Sequence, residues 1–339
     1  MQSRASMLGH ESLSTQASNR GMARSHTLNM DLVPSMEGTS LRQGTVMTHN
    51  AVITLDKQKW MSNALDIDRI KLTDVIWPGA HNAGMDKQAP NYEVVVGNWT
   101  TCQNGSFAWQ LSNGARAFDI RLGYTEGAEQ SIFYFHHHGY QSHRVLDELI
   151  SAVSSFLDRN PDEFVVLDFH QLGDGNNRFD YQKLNELLVS QLGQRVIPPD
   201  NATKTIGELK RISARRRVIL AAPVRRELDE NYFWPRITHK WINKRFTDTE
   251  DLKTHISNTL KDAPYETFLW SLSATSYAFL GGPQDIKNHI NDWFNPTRDW
   301  VTRCSIINTD FFDESEIVRY CWSATSMKAV YGDALHAPA

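Results

Sequence analysis

Polar, titratable side chains follow several of the short apolar runs in this sequence, and they are the residues best suited to chemistry. An imidazole titrates near pH ~6.5, so histidines in such positions can give or take a proton at neutral pH. A single His or Asp after a strand is usually an ordinary loop residue, whereas five such groups indicate a functional site. The groups are His81 with Asn82, Asp119 with Arg121, residues 136–138 (HHH), Asp168 with His170, and Asp310.

The three consecutive histidines at 136–138 are a possible metal-binding run, but their spacing argues against one. Side chains alternate along a strand, so His137 is expected opposite His136 and His138, which leaves two imidazoles for one face. No HExxH or CxxC motif accompanies them, and such motifs are typical of zinc sites. We therefore expect no zinc site.

Seven β-branched and aromatic runs must position these groups, and helical patterns lie between them. The alternation of strand and helix indicates βα units and a parallel sheet. Seven strands over about 280 residues favour an α/β fold with a single closed (β/α) TIM-type barrel. The predicted strands are 70–77, 115–122, 131–137, 163–170, 216–222, 267–273 and 304–312; the predicted helices are 142–159, with Ser142 as N-cap, 179–193, 204–212, 248–261, 284–294 and 313–326.

The carboxyl ends of parallel barrel strands meet on one rim, where active sites are built. We therefore expect the five groups to converge there. No GxGxxG or GxxxxGK[ST] motif follows any predicted strand, so a nucleotide-binding doubly wound fold is not indicated.

Composition narrows the class of protein. The 339 residues are 40% hydrophobic and 22% charged, with a net charge of −4, as in a soluble globular enzyme. No dense Lys/Arg stripe occurs, so we expect neither a nucleic-acid partner nor simple electrostatic docking to an anionic membrane. The spacing of the three scattered cysteines, an odd number without CxxC, predicts neither a disulfide framework nor a zinc site; they are Cys102, Cys304 and Cys321.

The N-terminal residues differ in composition and apolar patterning from the rest of the sequence. Residues 1–55 are rich in Ser, Thr, Met and Asn without a sustained apolar period, which predicts a flexible or loosely ordered extension before a catalytic domain at 56–339. No run of 18 apolar residues occurs, so no transmembrane segment is expected. The first 21 residues lack the apolar core of a secretory signal, and the compartment stays open.

Four motifs in this order resemble the X region of phosphatidylinositol-specific phospholipases C: WPGAHNAG, GARAFDIRL, FYFHHHG and NPDEFVVLDFHQ. The resemblance covers roughly residues 57–330 and extends to bacterial single-domain enzymes and to the X-domain-only proteins of animals. The fold it implies is a distorted, incompletely closed TIM barrel.

The resemblance also implies roles for individual residues. The family's base histidine corresponds to His81 and its acid histidine, directly before Gly, corresponds to His138. The phosphate-binding arginine of the DIR motif corresponds to Arg121. The aspartate that orients the base corresponds to Asp310, and an aromatic side chain that stacks on the inositol ring corresponds to Trp241.

One position departs from the metal-independent enzymes, which usually have Asp where this chain has Asn82. Asn is typical of the calcium-dependent relatives, in which Asn82 and Asp119 would be metal ligands. However, those relatives have carboxylates at the positions of Arg121 and His170, whereas metal-free members have cations at both. Calcium takes 6–8 oxygen ligands, so we expect no metal cofactor, with Asp119 and Asn82 in the catalytic set and His170 in substrate binding.

The predicted function is cleavage of an inositol phospholipid to diacylglycerol and a cyclic inositol phosphate by two histidines, in a monomer acting at a lipid surface. Aromatic residues at 232–234 or 293–294 are candidates for a lip that contacts lipid. Two alternatives stay open. One is a related phosphodiesterase acting on glycerophosphodiesters or glycosyl-inositol anchors. The other is a catalytically weak lipid- or partner-binding module, for which Asn82 is the best support.

Overall fold

The structure is a computed structural model, and it describes residues 55–89, 97–127, 132–264, 268–279 and 281–332. The chain divides into two units, and the second spans Leu55–Ala339. The predicted extension at residues 1–55 lies outside the described residues apart from Leu55. Within the described ranges, no helix is both long enough and apolar enough to span a bilayer.

Short strands build one ten-stranded sheet, and Tyr277–Ala278 pairs with Gly282–Pro283 in a separate two-stranded sheet. Several strands of the large sheet are buried at every residue, because it packs against helices on one side and its own interior on the other; among them are Trp77–Ala80, Val218–Ala221, Trp270–Ser273 and Ile306–Thr309. The strands are β1 (Trp77–Ala80), β2 (Ala117–Thr125), β3 (Ile132–His137), β4 (Tyr140–Val145), β5 (Val165–Leu172), β6 (Val218–Ala221), β7 (Phe233–Trp234), β8 (Thr238–Lys240), β9 (Trp270–Ser273), β10 (Tyr277–Ala278), β11 (Gly282–Pro283) and β12 (Ile306–Thr309).

Eight parallel strands form the curled wall of the barrel in the order β7-β6-β5-β2-β1-β12-β9-β8. In the described residues, the end strands β7 and β8 do not pair with each other, so the barrel is open at this seam. The predicted α/β barrel and the incomplete closure implied by the family resemblance are both confirmed, whereas the closed barrel favoured by the strand count is wrong. The two strands at the seam are short, with two residues in β7 and three in β8.

Eight α-helices accompany the strands in the described ranges, and five of the six predicted helices are found within a few residues of their expected bounds. α8 begins later and ends later than predicted. The helices are α1 (Gly97–Thr100), α2 (Phe107–Ser112), α3 (Leu146–Arg159), α4 (Tyr181–Leu192), α5 (Ile206–Ile212), α6 (Thr249–Lys261), α7 (Lys287–Trp293) and α8 (Ile317–Tyr331).

Two strand predictions need correction. The run 70–77 is a strand only at its last residue, because the Lys71–Asp74 segment turns: Asp74 N–H donates to Lys71 O at 3.1 Å and Lys71 N–H donates to the Asp74 carboxylate at 3.0 Å. The run 131–137 is not a parallel barrel strand. β3 is antiparallel to β2 and forms a hairpin with β4. Ser142 therefore lies in β4, and Val145 occupies the N-cap position of α3.

The amino-terminal end of the barrel is closed by a buried ion pair. Arg116, directly before β2, and Glu163, two residues before β5, both have fully buried side chains with Nη2 and Oε2 2.8 Å apart. The guanidinium also donates to four backbone carbonyl oxygens, and Glu163 accepts from the backbone of Met61 and Ser62. Every charged atom of the pair is satisfied, so loss of either partner would leave a buried unpaired charge.

Candidate active site

The sheet order brings three predicted site residues together at the carboxyl ends of neighbouring strands. In the pairing of β1 with β12, Ala80 lies beside Thr309, so the next residues, His81 and Asp310, emerge side by side. His81 N–H continues the ladder by donating to Thr309 O at 3.2 Å. Asp119 belongs to β2, the neighbour of β1 on its other side.

The hydrogen bonds of His81 fix its tautomer. Its Nε2 lies 2.9 Å from Arg121 Nη2, and its Nδ1 lies 2.7 Å from Asp310 Oδ1. A guanidinium has donors and no acceptor, so Nε2 must be the unprotonated, accepting nitrogen. The ring proton then resides on Nδ1 and is donated to Asp310. His81 is a neutral imidazole whose basic lone pair faces Arg121.

Arg121 is held by a bidentate ion pair with Asp119. Its Nε and Nη2 lie 3.2 and 2.8 Å from Oδ1 and Oδ2 of the carboxylate, and Asn82 N–H also donates to Oδ2 at 3.2 Å. Burial by itself would raise the pKa of Asp119, but the adjacent charge of Arg121 outweighs it and holds this pKa well below its usual range. The carboxylate is therefore ionised and fixes the guanidinium beside His81.

The histidine run ends in a tight turn. His138 and Gly139 have φ values of 51° and 86°, and they connect the paired residues His137 and Tyr140. Positive φ at both central residues is the pattern of a type I′ hairpin turn, in which Gly is strongly preferred at the second position. His138 therefore lies exposed at the tip of the β3–β4 hairpin.

The turn corrects the predicted alternation of the histidines. The His137 and His138 rings stack with centroids 4.6 Å apart, and the His137 ring meets the His81 ring edge-on at 6.3 Å. Strand alternation ends at His137, so His138 does not share a face with His136. Instead His136 Nδ1 accepts from Gly139 N–H at 3.2 Å. The hairpin histidine in ring contact with His81 is thus His137.

The two stacked rings differ in environment. Burial, followed by the charge of Arg121, lowers the pKa of His137 well below its usual value and also lowers that of His138. His137 is buried and bonded at both nitrogens, to Thr100 O at 3.1 Å and to Tyr277 Oη at 3.1 Å. It is therefore a neutral, fixed ring, whereas His138 is exposed and able to exchange protons with solvent.

Sequence reasoning missed Cys102 and Gln103, which contact the site from a loop, and Tyr277, which contacts it from the first residue of β10. Cys102 Sγ lies 3.5 Å from Tyr277 Oη. Gln103 Nε2 donates to His81 O at 2.8 Å and to Thr309 O at 3.0 Å, which ties the ends of β1 and β12 together. No periodicity or motif marks these residues, because none of them lies at the carboxyl end of a barrel strand.

β5 and β8 supply a second set of titratable groups. Burial and the charge of Asp119 raise the pKa of Asp168 well above its usual value, so this carboxyl is neutral. Burial lowers the pKa of His170 to about 4 and that of His239 to about 3, and the two rings lie 4.5 Å apart. Asp168 Oδ1 and His170 Nδ1 are buried without a hydrogen-bond partner in the described part of the chain.

Trp241 directly follows β8 and is 46% exposed, so it stands at the rim and not in the interior. The aromatic residues named as candidates for a lip lie mostly in the core. Phe233, Trp234, Trp293 and Phe294 are all at most 8% exposed and belong to the core. Tyr232 is half-buried.

A different aromatic group is exposed on the same face of the barrel as the site. Phe279 lies 5.2 Å from Phe246 and 6.1 Å from Trp99, measured between ring centroids. Phe279 directly follows β10, Phe246 lies in the loop after β8, and Trp99 lies in α1; we call these three residues the rim aromatic cluster. Phe246 and Phe279 are 38% and 66% exposed.

Backbone strain concentrates at the site. Three of the five non-glycine residues with positive φ in the described ranges are Asn82, His138 and Phe311, at 45°, 51° and 46°. Asn82 follows His81 and Phe311 follows Asp310. Such conformations cost about 1–3 kcal/mol each and cluster at functional sites.

The predicted alternative ligand set does not fit a calcium ion. Both oxygens of Asp119 already bind Arg121, whose positive charge would repel a divalent cation. The Asn82 side-chain oxygen is buried and has no described hydrogen-bond partner, but one amide oxygen is far from the 6–8 oxygens that calcium takes.

Comparison with known proteins places this geometry in context. No family model matches the chain. It is 28% identical over 229 residues to a variant-surface-glycoprotein phospholipase C of Trypanosoma cruzi, covering 58% of each chain. It is 24% identical over 299 residues to PI-PLC X domain-containing protein 3 of Danio rerio, covering 76% of this chain and 90% of that protein. The chain thus spans little more than half of the trypanosomal relative.

Solved structures give the same indication for the fold. The phosphatidylinositol-specific phospholipase C of Listeria monocytogenes superposes with a TM-score of 0.60 at 14% identity, over 80% of this chain and 99% of that one. The enzyme of S. aureus gives 0.55 at 16% identity, over 76% and 91%. The predicted resemblance is confirmed: the chain is related to the PI-PLC X domain-containing proteins and has the fold of the bacterial phosphatidylinositol-specific phospholipases C.

Proposed function

We propose that the protein is a phospholipase C-type phosphodiesterase that cleaves an inositol phospholipid to diacylglycerol and a cyclic inositol phosphate. The observation that carries the proposal is the tautomer of His81, a neutral ring with a basic Nε2 facing a guanidinium. A base and a phosphate-binding cation side by side suit attack of a hydroxyl on phosphorus.

In the proposed first half of the reaction, His81 Nε2 takes the proton of the inositol 2-hydroxyl, and the oxygen attacks phosphorus. Arg121 hydrogen-bonds Nε2 in the resting site, so this bond must break first. It is a single bond to a neutral ring, whereas the bonds to Asp119 are two and charge-assisted. A bound phosphate would therefore draw Arg121 Nη2 from the base while the pair with Asp119 persists.

In the second half, His138 gives its proton to the departing glycerol oxygen as the phosphorus–oxygen bond breaks. Burial and Arg121 lower the pKa of His138 in the free protein. The negative charge of a bound phosphodiester offsets that of Arg121, which favours the protonated ring when it is needed. Asp310 holds the His81 ring in the required tautomer and stabilises the imidazolium that forms.

The inositol ring and the lipid need separate contacts. Asp168 Oδ1 and His170 Nδ1, buried without partners among the described residues, are suited to hydrogen-bond ring hydroxyls. Exposed Trp241 is suited to stack on the ring. The rim aromatic cluster provides the apolar surface that enters a bilayer, a role that aromatic side chains fill at membrane interfaces.

The test is incubation with vesicles of phosphatidylinositol, with and without excess chelator, followed by ³¹P detection of cyclic inositol phosphate. We expect the product under both conditions from the full chain and none from His81→Gln. Binding to vesicles without release of any water-soluble phosphate would refute the enzyme and favour a lipid-binding module. Product lost on chelation would refute metal-independence.

A second substrate is favoured by one comparison, the likeness to a variant-surface-glycoprotein phospholipase C. A glycosyl-inositol phospholipid presents the same phosphodiester beside the same 2-hydroxyl, so the chemistry at His81 is unchanged. Release of a glycosyl-inositol-anchored protein from vesicles, compared with phosphatidylinositol at equal surface concentration, ranks the two substrates.

A further inference from the structure

Three different donor atoms converge behind the base. A ring nitrogen of His81, Sγ of Cys102 and a carboxylate oxygen of Asp310 all lie within 4.8 Å of one another, and all three residues are buried. We infer that this His81–Cys102–Asp310 group binds a thiophilic divalent cation such as Zn²⁺, which switches the enzyme off. The inhibitory consequence rests on the proposed function of His81, whereas the binding itself does not.

Asp310 supplies an oxygen that is free to bind. Its side chain is 1% exposed, and Oδ1 accepts from His81 while Oδ2 has no hydrogen-bond partner in the described residues. A buried carboxylate oxygen without a partner is costly, and a cation between it and the thiol would satisfy it.

Cys102 supplies a sulfur held only by weak contacts. Sγ lies 3.4 Å from Thr100 O, 3.5 Å from Tyr277 Oη and 3.9 Å from His137 Nδ1. Burial and the charge of Asp310 raise the pKa of this thiol well above its usual value, so it is protonated and unreactive without a metal. A bound dication favours the negatively charged thiolate that burial and Asp310 otherwise disfavour, and the thiol loses its proton to solvent as the metal–sulfur bond forms.

Donor type and charge both suit zinc. Zn–S and Zn–N bonds of about 2.3 and about 2.1 Å at tetrahedral angles place the donors about 3.6 Å apart, so any donors that lie farther apart, at most 4.8 Å, must approach by up to about 1 Å. One dication with a thiolate and a carboxylate has no net charge, which a buried site tolerates. The fourth position is left to water, as in sites with three protein ligands. Calcium and magnesium prefer oxygen donors and do not match this set.

Metal binding would disable the base. The 2.7 Å bond between His81 Nδ1 and Asp310 Oδ1 would be replaced by bonds from both side chains to the cation. His81 would then no longer be held as a neutral base opposite the phosphate. One thiol proton is released per ion, so the apparent affinity should rise about tenfold per pH unit below the pKa of the thiol.

The test uses Cd²⁺, whose bond to a thiolate gives an ultraviolet charge-transfer band, and Zn²⁺ inhibition of lipid cleavage. The full chain should bind one Cd²⁺ with the band. Cys102→Ala should lose the band. It should also need at least about 100-fold more Zn²⁺ to halve its own metal-free activity, because loss of a group that only supports a ligand already costs about 10- to 100-fold in metal affinity, and Cys102 is itself a ligand. Cys304→Ala is the matched control, because Cys304 is also a buried free cysteine but is not one of the three proposed ligands. It should behave as the parent.

The outcomes separate this inference from the proposed function. A Cd²⁺ band that is absent in the parent chain, or unchanged in Cys102→Ala, overturns the metal site whatever the activity. A band that requires Cys102 in a protein without phosphodiesterase activity supports the metal site and refutes the enzyme. Full activity in Zn²⁺ at a concentration that saturates the band overturns the inhibitory role.

Discussion

Replacement of His138 by Asn separates chemistry from folding. His138 has a φ of 51° at the tip of the β3–β4 hairpin, a conformation that costs most L-residues about 1–2 kcal/mol and that Asn tolerates better. His138→Asn therefore removes the imidazole and keeps the turn. We expect the free energy of unfolding to stay within about 1 kcal/mol of the parent value, or to rise.

The expected loss of activity is large. Removal of a general acid costs about 10²–10⁴ in rate, or about 2.7–5.4 kcal/mol of transition-state stabilisation at about 1.36 kcal/mol per tenfold. His137→Ala is the matched variant on the adjacent ring. It removes partners from Thr100 O and Tyr277 Oη, so it should lower the free energy of unfolding by about 2–4 kcal/mol. The folded variant should keep its rate within about tenfold.

The assay is turnover of phosphatidylinositol vesicles beside an inositol aryl phosphodiester, whose phenolate leaves without protonation. His138→Asn should lose at least about 100-fold on the lipid and much less on the aryl substrate, because only the lipid needs an acid. His81→Gln should lose activity on both. Equal losses of His138→Asn on both substrates, or a folded but inactive His137→Ala, would refute the assignment of His138 as the acid.

Three further predictions concern charge. Arg121→Lys should lower kcat/KM by about 10²–10³, since Lys cannot hold both Asp119 and a phosphate through a planar fork; retention of the parent value would contradict the phosphate role. Glu163→Gln should lower the free energy of unfolding in urea by about 3–5 kcal/mol by leaving Arg116 buried and unpaired, with kcat of the folded protein unchanged. Burial lowers the pKa of His239 to about 3, so between about pH 3 and 6.5 the unfolded chain binds the extra proton. The stability that the neutral His239 ring contributes should therefore be fully present above pH ~6.5. Below that pH, the free energy of unfolding should decrease by about 1.4 kcal/mol for each unit by which the pH is lowered, and His239→Gln should reduce this slope.

The carboxyl-end placement of the site could be predicted from the sequence, even where strand bounds were off. The first strand begins at Trp77 and not near residue 70, yet His81 still follows its end. Asp310 likewise follows β12. The location of the site depends on the residue at which each apolar run ends. That boundary is visible in the sequence, because polar residues replace apolar ones there.

The direction of β3 could not be predicted from its pattern. Alternation with a period of two is the same in parallel and antiparallel strands, so residues 131–137 gave no sign of pairing back onto β2. The signal was in the turn, where His138 precedes Gly139 as Asn precedes Gly in common hairpins. Cys102 and Tyr277 had no signal of this kind, because tertiary packing of a loop and of the short strand β10 brings them to His81.

Satisfied and unsatisfied polar groups are distributed unevenly between the two ends of the barrel. At the amino-terminal end, the Arg116–Glu163 pair has a partner for each of its charged atoms. At the carboxyl end, Asp310 Oδ2, Asp168 Oδ1 and the Asn82 amide are buried without partners in the described residues. Unpaired groups lower stability, so they persist where something else in the working cycle satisfies them. Under the proposed function, substrate hydroxyls and phosphate oxygens would supply the missing partners at the carboxyl end, whereas the ion pair at the amino-terminal end already has all of its partners within the protein.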